Sequence, residues 1–236
     1  MKIFIIAGED SGDKLGAGII DGLSSALVSS PNFVGVGGAG MISRGLNSIF
    51  PMNELSVMGF IEIASSYTNL KSRLDQTVST ILDEKPDILL TIDAPEFCFR
   101  VAKKVKSVNR NIPIAHYVAP SVWAWRPKRA KTISKFIDHV LALLPFEPPY
   151  FHQVGLSCDF VGHPVVSENL ASLENIIDLK KDFRLADEPK ILCLPGSRKS
   201  EIDRLMPTFG KTLHNFLNYL PSAKFILLST PNVFEY

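Results

Sequence analysis

At 236 residues, the chain has room for one large domain or for one and a half. Hydrophobic residues make up 46% and charged residues 21%, the balance of a globular protein with a core rather than a disordered or fibrous one. A formal net charge of +1 excludes a global field that would select nucleic acid or an acidic partner, so any basic site has to be local.

Cys98, Cys158 and Cys193 are odd in number and far apart, which fits neither a disulfide framework nor a zinc site. They point to a reducing, cytoplasmic compartment. The apolar opening of the chain is broken by Glu9, Asp10 and Asp13, too early for the apolar region of a signal peptide. No run approaches the ~18 apolar residues of a spanning helix. The expectation is a protein that does not cross a membrane but is free to lie on one.

Along the chain, short apolar runs alternate with segments of helical period, the signature of parallel βα units. Strands are predicted near 2–7, 33–36, 88–92, 114–118, 139–143 and 159–161, with helices over 15–27, 70–82 and 97–108. The run Ile88-Leu89-Leu90-Thr91-Ile92 is apolar without alternation, as a strand buried on both faces should be. From 167 to 189 charged residues crowd a stretch poor in aromatics, which reads as a surface passage between domains. A fresh βαβ unit follows: strand 191–194, a helix whose stripe runs from Ile202 to Leu220, and strand 224–229. One such unit cannot cover both faces of its own sheet. The second domain is therefore expected to be incomplete or completed by something else.

Five places carry candidate chemistry. The first turn, Gly8 to Gly16, lies between strand one and helix one, where glycine lets a backbone come close to a ligand. It is neither a P-loop nor a dinucleotide fingerprint. Glu9, Ser11, Gly12 and Asp13 suit hydroxyl or amide recognition; equally, Ser11 and Asp13 fit a helix cap. Asp93 follows the strand 88–92 at the sheet edge where ligands bind, placed to act as a base, or else to start the next helix before Pro95. Both tryptophans, Trp123 and Trp125, sit beside Arg126, Lys128 and Arg129, a setting for a sugar and its phosphate, or a packed loop before a solvated basic helix. His116, inside a strand, reads as a core histidine. Val57, Phe60, Ile61 and Ala64 form a helical stripe that leaves Met58 outside it, a core helix or a surface helix dipping into lipid. Finally, Gly196, Ser197 and Arg198 form a strand-to-helix turn suited to a diphosphate, unless Glu201 closes a capping box there.

Taken together, AGEDSGD (7–13), FVGVGGAGM (33–41), ELSVMGFIEI (54–63), IDAPEF (92–97), HYVAPSVWAWRPKR (116–129), LALLPFE (141–147), FVGHP (160–164) and LPGSRKSEI (194–202) resemble the lipid-A-disaccharide synthase family. The resemblance runs in order through nearly the whole chain. It implies an α/β fold of the GT-B type: a Rossmann-like, parallel-sheet N-terminal domain (1–166) facing acceptor and membrane, an interdomain passage (167–189) and the start of a second, donor-binding domain (190–236). It implies an inverting transfer of 2,3-diacylglucosamine from its UDP derivative onto 2,3-diacylglucosamine 1-phosphate, with no cofactor, no required metal and no nucleic-acid partner. By the same resemblance Asp93 is the base, and Gly196, Ser197 and Arg198 meet the donor diphosphate. Glu9, Ser11, Gly12, Asp13 and Arg126 line the acceptor side, while Val57, Met58, Phe60 and Ile61 touch the inner membrane from its cytoplasmic side.

Members of that family are considerably longer, so the donor domain is expected to be completed by another copy or a complementing chain. The alternative is an acceptor- and lipid-binding chain without transfer activity. A nucleotide-sugar epimerase would share the two-domain shape but has no use for the aromatic-basic loop.

Overall fold

The computed structural model describes residues 1–55, 63–167, 169–197, 199–229 and 231–234; for 63–67, 167, 231 and 232 only the backbone is described. The chain divides into two compact units, Met1–Glu168 and Asn169–Tyr236.

The first unit is built on seven strands: β1 (Lys2–Ala7), β2 (Asn32–Val36), β3 (Asn47–Ser48), β4 (Ile88–Ile92), β5 (Ile114–Tyr117), β6 (His139–Ala142) and β7 (Ser157–Phe160). All pair in parallel, in the order β3-β2-β1-β4-β5-β6-β7. Phe4, Ile5, Ile6, Leu89 and Ile92 are fully buried, because β1 and β4 are central and covered on both faces. The expected strands form where the apolar runs stand, to within two residues. β3 has no such run; its two polar residues are a strand only because Val34 and Gly35 supply partners for Asn47 and Ser48.

The strand order reverses between β1 and β4. Right-handed crossovers in opposite directions then send helices to opposite faces. α1 (Asp10–Ala26) and α2 (Ala39–Ile42) cover one face and pack together. α3 (Ile63–Glu84), α4 (Pro95–Val108), α5 (Lys128–Ile133) and α6 (Pro148–His152) cover the other, with α3 against α4 and α5 against α6. On α4, Cys98, Phe99, Val101, Ala102 and Val105 face the sheet, and Pro95 opens the helix at a position where no amide donor is needed.

The second unit contains α7 (Leu173–Asp182), β8 (Lys190–Cys193), α8 (Lys199–Leu217), β9 (Lys224–Leu227) and α9 (Pro231–Phe234). β8 and β9 form a two-stranded parallel sheet. α7 begins in a capping box: Ser172 Oγ accepts the Asn175 N–H at 3.1 Å and Asn175 Oδ1 accepts the Ser172 N–H at 3.0 Å. Of the expected α8 stripe, Ile202, Leu205, Met206, Phe209 and Leu213 are half-buried, while Phe216, Leu217 and Leu220 are exposed.

Candidate active site

In an open parallel sheet the crevice lies beyond the carboxyl ends of the strands, where the order reverses. Here that point is the adjoining ends of β1 and β4, paired through Ala7 and Ile92. Glycine is required there by contact. A Cβ on Gly8 would stand 2.7 Å from the Cβ of Ala94, and one on Gly12 would stand 3.3 Å from the Cβ of Ala7. The first turn of α1 therefore sits directly on the strand ends, and the β1 and β4 loops touch.

Asp13, only 9% exposed, does not face open crevice. Its Oδ1 accepts the N–H groups of Gly38 (2.8 Å) and Met41 (3.0 Å), and its Oδ2 accepts that of Gly40 (2.8 Å). Added Cβ atoms on Gly38 or Gly40 would come within 2.8 Å of this carboxylate. The cap read from the sequence thus exists, but on α2 instead of α1. The N-cap of α1 is Glu9, whose side chain makes no cap bond, and Ser11 lies exposed in the first helical turn. The small-residue run Gly37-Gly38-Ala39-Gly40 was the available signal for this tie: small residues around a buried carboxylate leave their amides free to converge on it.

Asp93 stands differently. It is half-exposed just past β4, with φ +47°, and Ala94 follows at φ +41°. Ala94, not Asp93, is the N-cap residue of α4. The Asp93 N–H donates to the Tyr117 carbonyl at 3.0 Å, which ties this loop to β5. The Cys98 thiol below is pushed far up, first by burial and then by the negative charge of Asp93. Among the described residues, six non-glycine positions have positive φ, and Asp93, Ala94, Val118 and Arg126 all lie in the loops after β4 and β5. Left-handed backbone costs roughly 1–2 kcal/mol per residue. Its concentration on one edge of the sheet marks a place whose geometry is held by its surroundings.

After β5, Trp123 and Trp125 are 43% and 57% exposed. The Arg126 guanidinium lies over the Trp125 ring, 4.2 Å from its centroid. Trp123 Nε1 donates to Glu147 Oε1 at 3.3 Å, and its ring meets Phe146 edge-on. Glu147 is 3% exposed and also accepts the Leu144 N–H at 3.0 Å, so the β6–α6 loop braces the aromatic one. The motif 141–147 had contained this residue without revealing its partner. His116 is a core residue: buried, tilted against the Phe99 ring, with Nδ1 2.8 Å from Thr91 Oγ1. Burial above all, then the Arg129 charge, lowers its pKa to about 3.

Leu55 packs at the Gly8–Ala94 junction, 4.0 Å from the position of a Gly8 Cβ. One residue earlier, Glu54 receives two bonds from Arg73 on α3, Nε to Oε2 at 2.7 Å and Nη2 to Oε1 at 2.8 Å. The Arg73 hydrogen bond holds the Glu54 carboxyl below its ordinary value. Val57, Met58, Phe60 and Ile61 lie outside the described residues, as does Arg198. In the second unit, Gly196 has φ +122° and the Ser197 N–H donates to Glu201 Oε2 at 3.1 Å. A Gly196 Cβ would meet that same oxygen at 2.6 Å, so the carboxylate of α8 fills the turn. Among the described residues, no group of three or more His, Cys, Asp or Glu side chains is arranged to hold a metal ion.

Comparison with known proteins adds to this geometry. The family model described as lipid-A-disaccharide synthetase matches residues 3–236. A lipid-A-disaccharide synthase from Ruegeria pomeroyi is 49% identical over 99% of this chain and 58% of its own length. One from Rhodospirillum centenum is 45% identical over 100% of this chain and 59% of its own length. The chain thus spans less than two thirds of these relatives. Among solved structures, UDP-GlcNAc 2-epimerase from Neisseria meningitidis bound to UDP-GlcNAc matches with a TM-score of 0.67 at 14% identity, over 98% of this chain and 67% of the other. The glycotransferase of kitacinnamycin matches with a TM-score of 0.56 at 14% identity, over 100% of this chain and 67% of the other. At such identities the likeness concerns the fold: the GT-B type, with a Rossmann-like parallel-sheet unit followed by a second that here holds two strands.

Proposed function

The chain belongs to the lipid-A-disaccharide synthase family, and from that premise we propose that it serves the transfer of 2,3-diacylglucosamine from UDP onto 2,3-diacylglucosamine 1-phosphate. Asp93 is the base. Its carboxylate takes the proton of the acceptor 6-hydroxyl as that oxygen attacks the anomeric carbon of the donor. The bond from that carbon to the diphosphate breaks, UDP leaves with the electron pair, and the configuration inverts. Gly196 and Ser197, with Arg198, are assigned to the diphosphate; a ligand there has to displace Glu201 from the Ser197 amide. Glu9, Ser11, Gly12 and Arg126 are assigned to the acceptor side. Asp13 serves it indirectly, by holding the 37–41 loop.

The observation that carries this reading is Asp93 itself: a half-exposed carboxylate at the topological switch point, on left-handed backbone, next to the close approach of Gly8 and Ala94. Val57, Met58, Phe60 and Ile61 are assigned to the membrane surface, since the described chain approaches them from Leu55, beside the Asp93–Ala94 turn. No helix among the described residues is long and apolar enough to cross a membrane.

A second reading is that the chain binds acceptor and lipid without transferring the sugar. UDP release by the purified chain, given both substrates in detergent, separates the two. Sustained turnover establishes transfer by this chain. Acceptor binding without UDP release leaves only the second reading.

A further inference from the structure

Along α4 and α5 runs an open groove of about 660 Å³ on the second face of the sheet, starting at Pro95 and Glu96. Phe99, Ile133 and Phe136 form its apolar floor, all buried or nearly so. Its walls are basic. Arg100, Lys103, Lys106 and Arg110 recur along α4 and just past its end, over roughly 15 Å. Arg129 and Lys135 stand opposite. The groove's carboxylates are Glu96 and Asp138, and each is already taken: Glu96 by Arg129 at 3.0 Å, Asp138 by Lys106 at 2.7 Å. Arg100, Lys103, Arg110 and Lys135 have no ion pair among the described residues.

Unneutralised cations around an apolar trough repel one another, and in a chain of net charge +1 they represent a local concentration rather than a general surplus. We propose that this groove docks the phosphate headgroups of an anionic phospholipid bilayer, with the cations on the phosphates and the apolar floor against the glycerol backbone. A single small anion would engage two or three neighbouring cations, whereas these are spread over three turns of α4 and onto a second element. Two exposed indoles, Trp123 and Trp125, precede α5, and indoles favour the headgroup layer. The choice of a bilayer as the source of the phosphates rests on the reading above that the chain works at a membrane surface.

The test is co-sedimentation of the purified chain with vesicles of phosphatidylcholine alone and of equal parts phosphatidylcholine and phosphatidylglycerol. The expected result is at least about tenfold tighter binding to the anionic vesicles, falling as salt is raised. Arg100→Gln with Lys103→Gln should reduce that binding about thirty-fold, and Arg110→Gln with Lys135→Gln should do the same from the other end of the groove. Lys180→Gln with Lys211→Gln, in the second unit, should leave it unchanged, and all three pairs should melt like the parent. Equal binding to both vesicle types, or groove variants that bind like the parent, would overturn the proposal. Displacement by millimolar glycerol 1-phosphate would also overturn it, in favour of a small soluble anion, and stronger retention by an RNA homopolymer in favour of a polynucleotide. Val57→Ser with Phe60→Ser tests the other reading separately. Such a variant should lose binding to both vesicle types by a similar factor and keep the anionic preference. If it binds like the parent, the 57–61 assignment fails while the groove stands.

Discussion

The two sides of the strand reversal each carry an aspartate close to the carboxyl edge, and the fold uses them in opposite ways. On the β1–β2 side, Asp13 is buried and spends both oxygens on the amides of Gly38, Gly40 and Met41. On the β4 side, Asp93 is half-exposed, held on left-handed backbone by the Tyr117 carbonyl and by the contact between Gly8 and Ala94. A carboxylate whose lone pairs are consumed by backbone donors maintains a loop. One placed on left-handed backbone past a central strand end is the carboxylate to which the proposed function assigns the proton transfer. Side-chain type and proximity to the strand ends are the same in both; burial and backbone conformation separate them.

The contrast is breakable at several points. Asp93→Asn keeps the shape and tolerates the left-handed backbone. It should lower transfer by about a hundred- to ten-thousand-fold with little change in melting temperature, read as UDP release by the chain or by a version completed to the length of its relatives. Full turnover would remove Asp93 as the base. Asp13→Ala should instead act on folding. Three backbone donors would lose a charged acceptor in a buried setting, at a cost of roughly 4 kcal/mol in a denaturant titration. A loss below ~1 kcal/mol would mean that the 37–41 loop does not depend on this tie.

Gly8→Ala tests the junction between the two sides. With its Cβ 2.7 Å from that of Ala94, the backbone has to shift, at about 1–3 kcal/mol, and transfer should fall with it because the Asp93 turn moves. An alanine variant with unchanged stability and turnover would show that the contact relaxes freely. The smallest effect concerns the approach to the 56–62 segment. The Glu54 pKa is lowered chiefly by its Arg73 hydrogen bond, so its contribution to stability is present above the ordinary carboxylate value of 4.5. It is lost as pH falls through the lower folded value. Melting curves taken from neutral pH down into acid should show this decline in the parent and less of it in Glu54→Gln. Parallel curves would assign the pair no role in stability, as happens with many exposed ion pairs.

Much of the fold was legible because the strands of the first unit are apolar runs bounded by turn residues, and a central parallel strand needs nothing else. The exception is β3, whose Asn47 and Ser48 have no pattern of their own. The site was legible as a set of loops but not as a set of roles. The sequence reads Glu9, Ser11 and Asp13 as one acidic turn; the helix that starts at Asp10 leaves Ser11 outward and turns Asp13 inward toward α2. Glu147 was visible only as part of a motif, because its partner Trp123 is 24 residues away and meets it through adjacent strand ends. The basic run after Trp125 read either as a setting for a sugar and its phosphate or as a solvated helix. Nothing in it announces the facing cations of α4, which lie one crossover earlier in the chain.

Local chemistry in the sequence therefore determined the elements, their parallel α/β class and the family, since hydrophobic period, turn residues and long ordered motifs are properties of neighbouring residues. The tertiary structure decided which carboxylate supports the fold and which stands at the crevice, and it brought two separated basic segments to the walls of one groove. Those outcomes depend on strand order and on the face to which each crossover sends its helix. Both are set by packing the whole sheet and by no single segment of it.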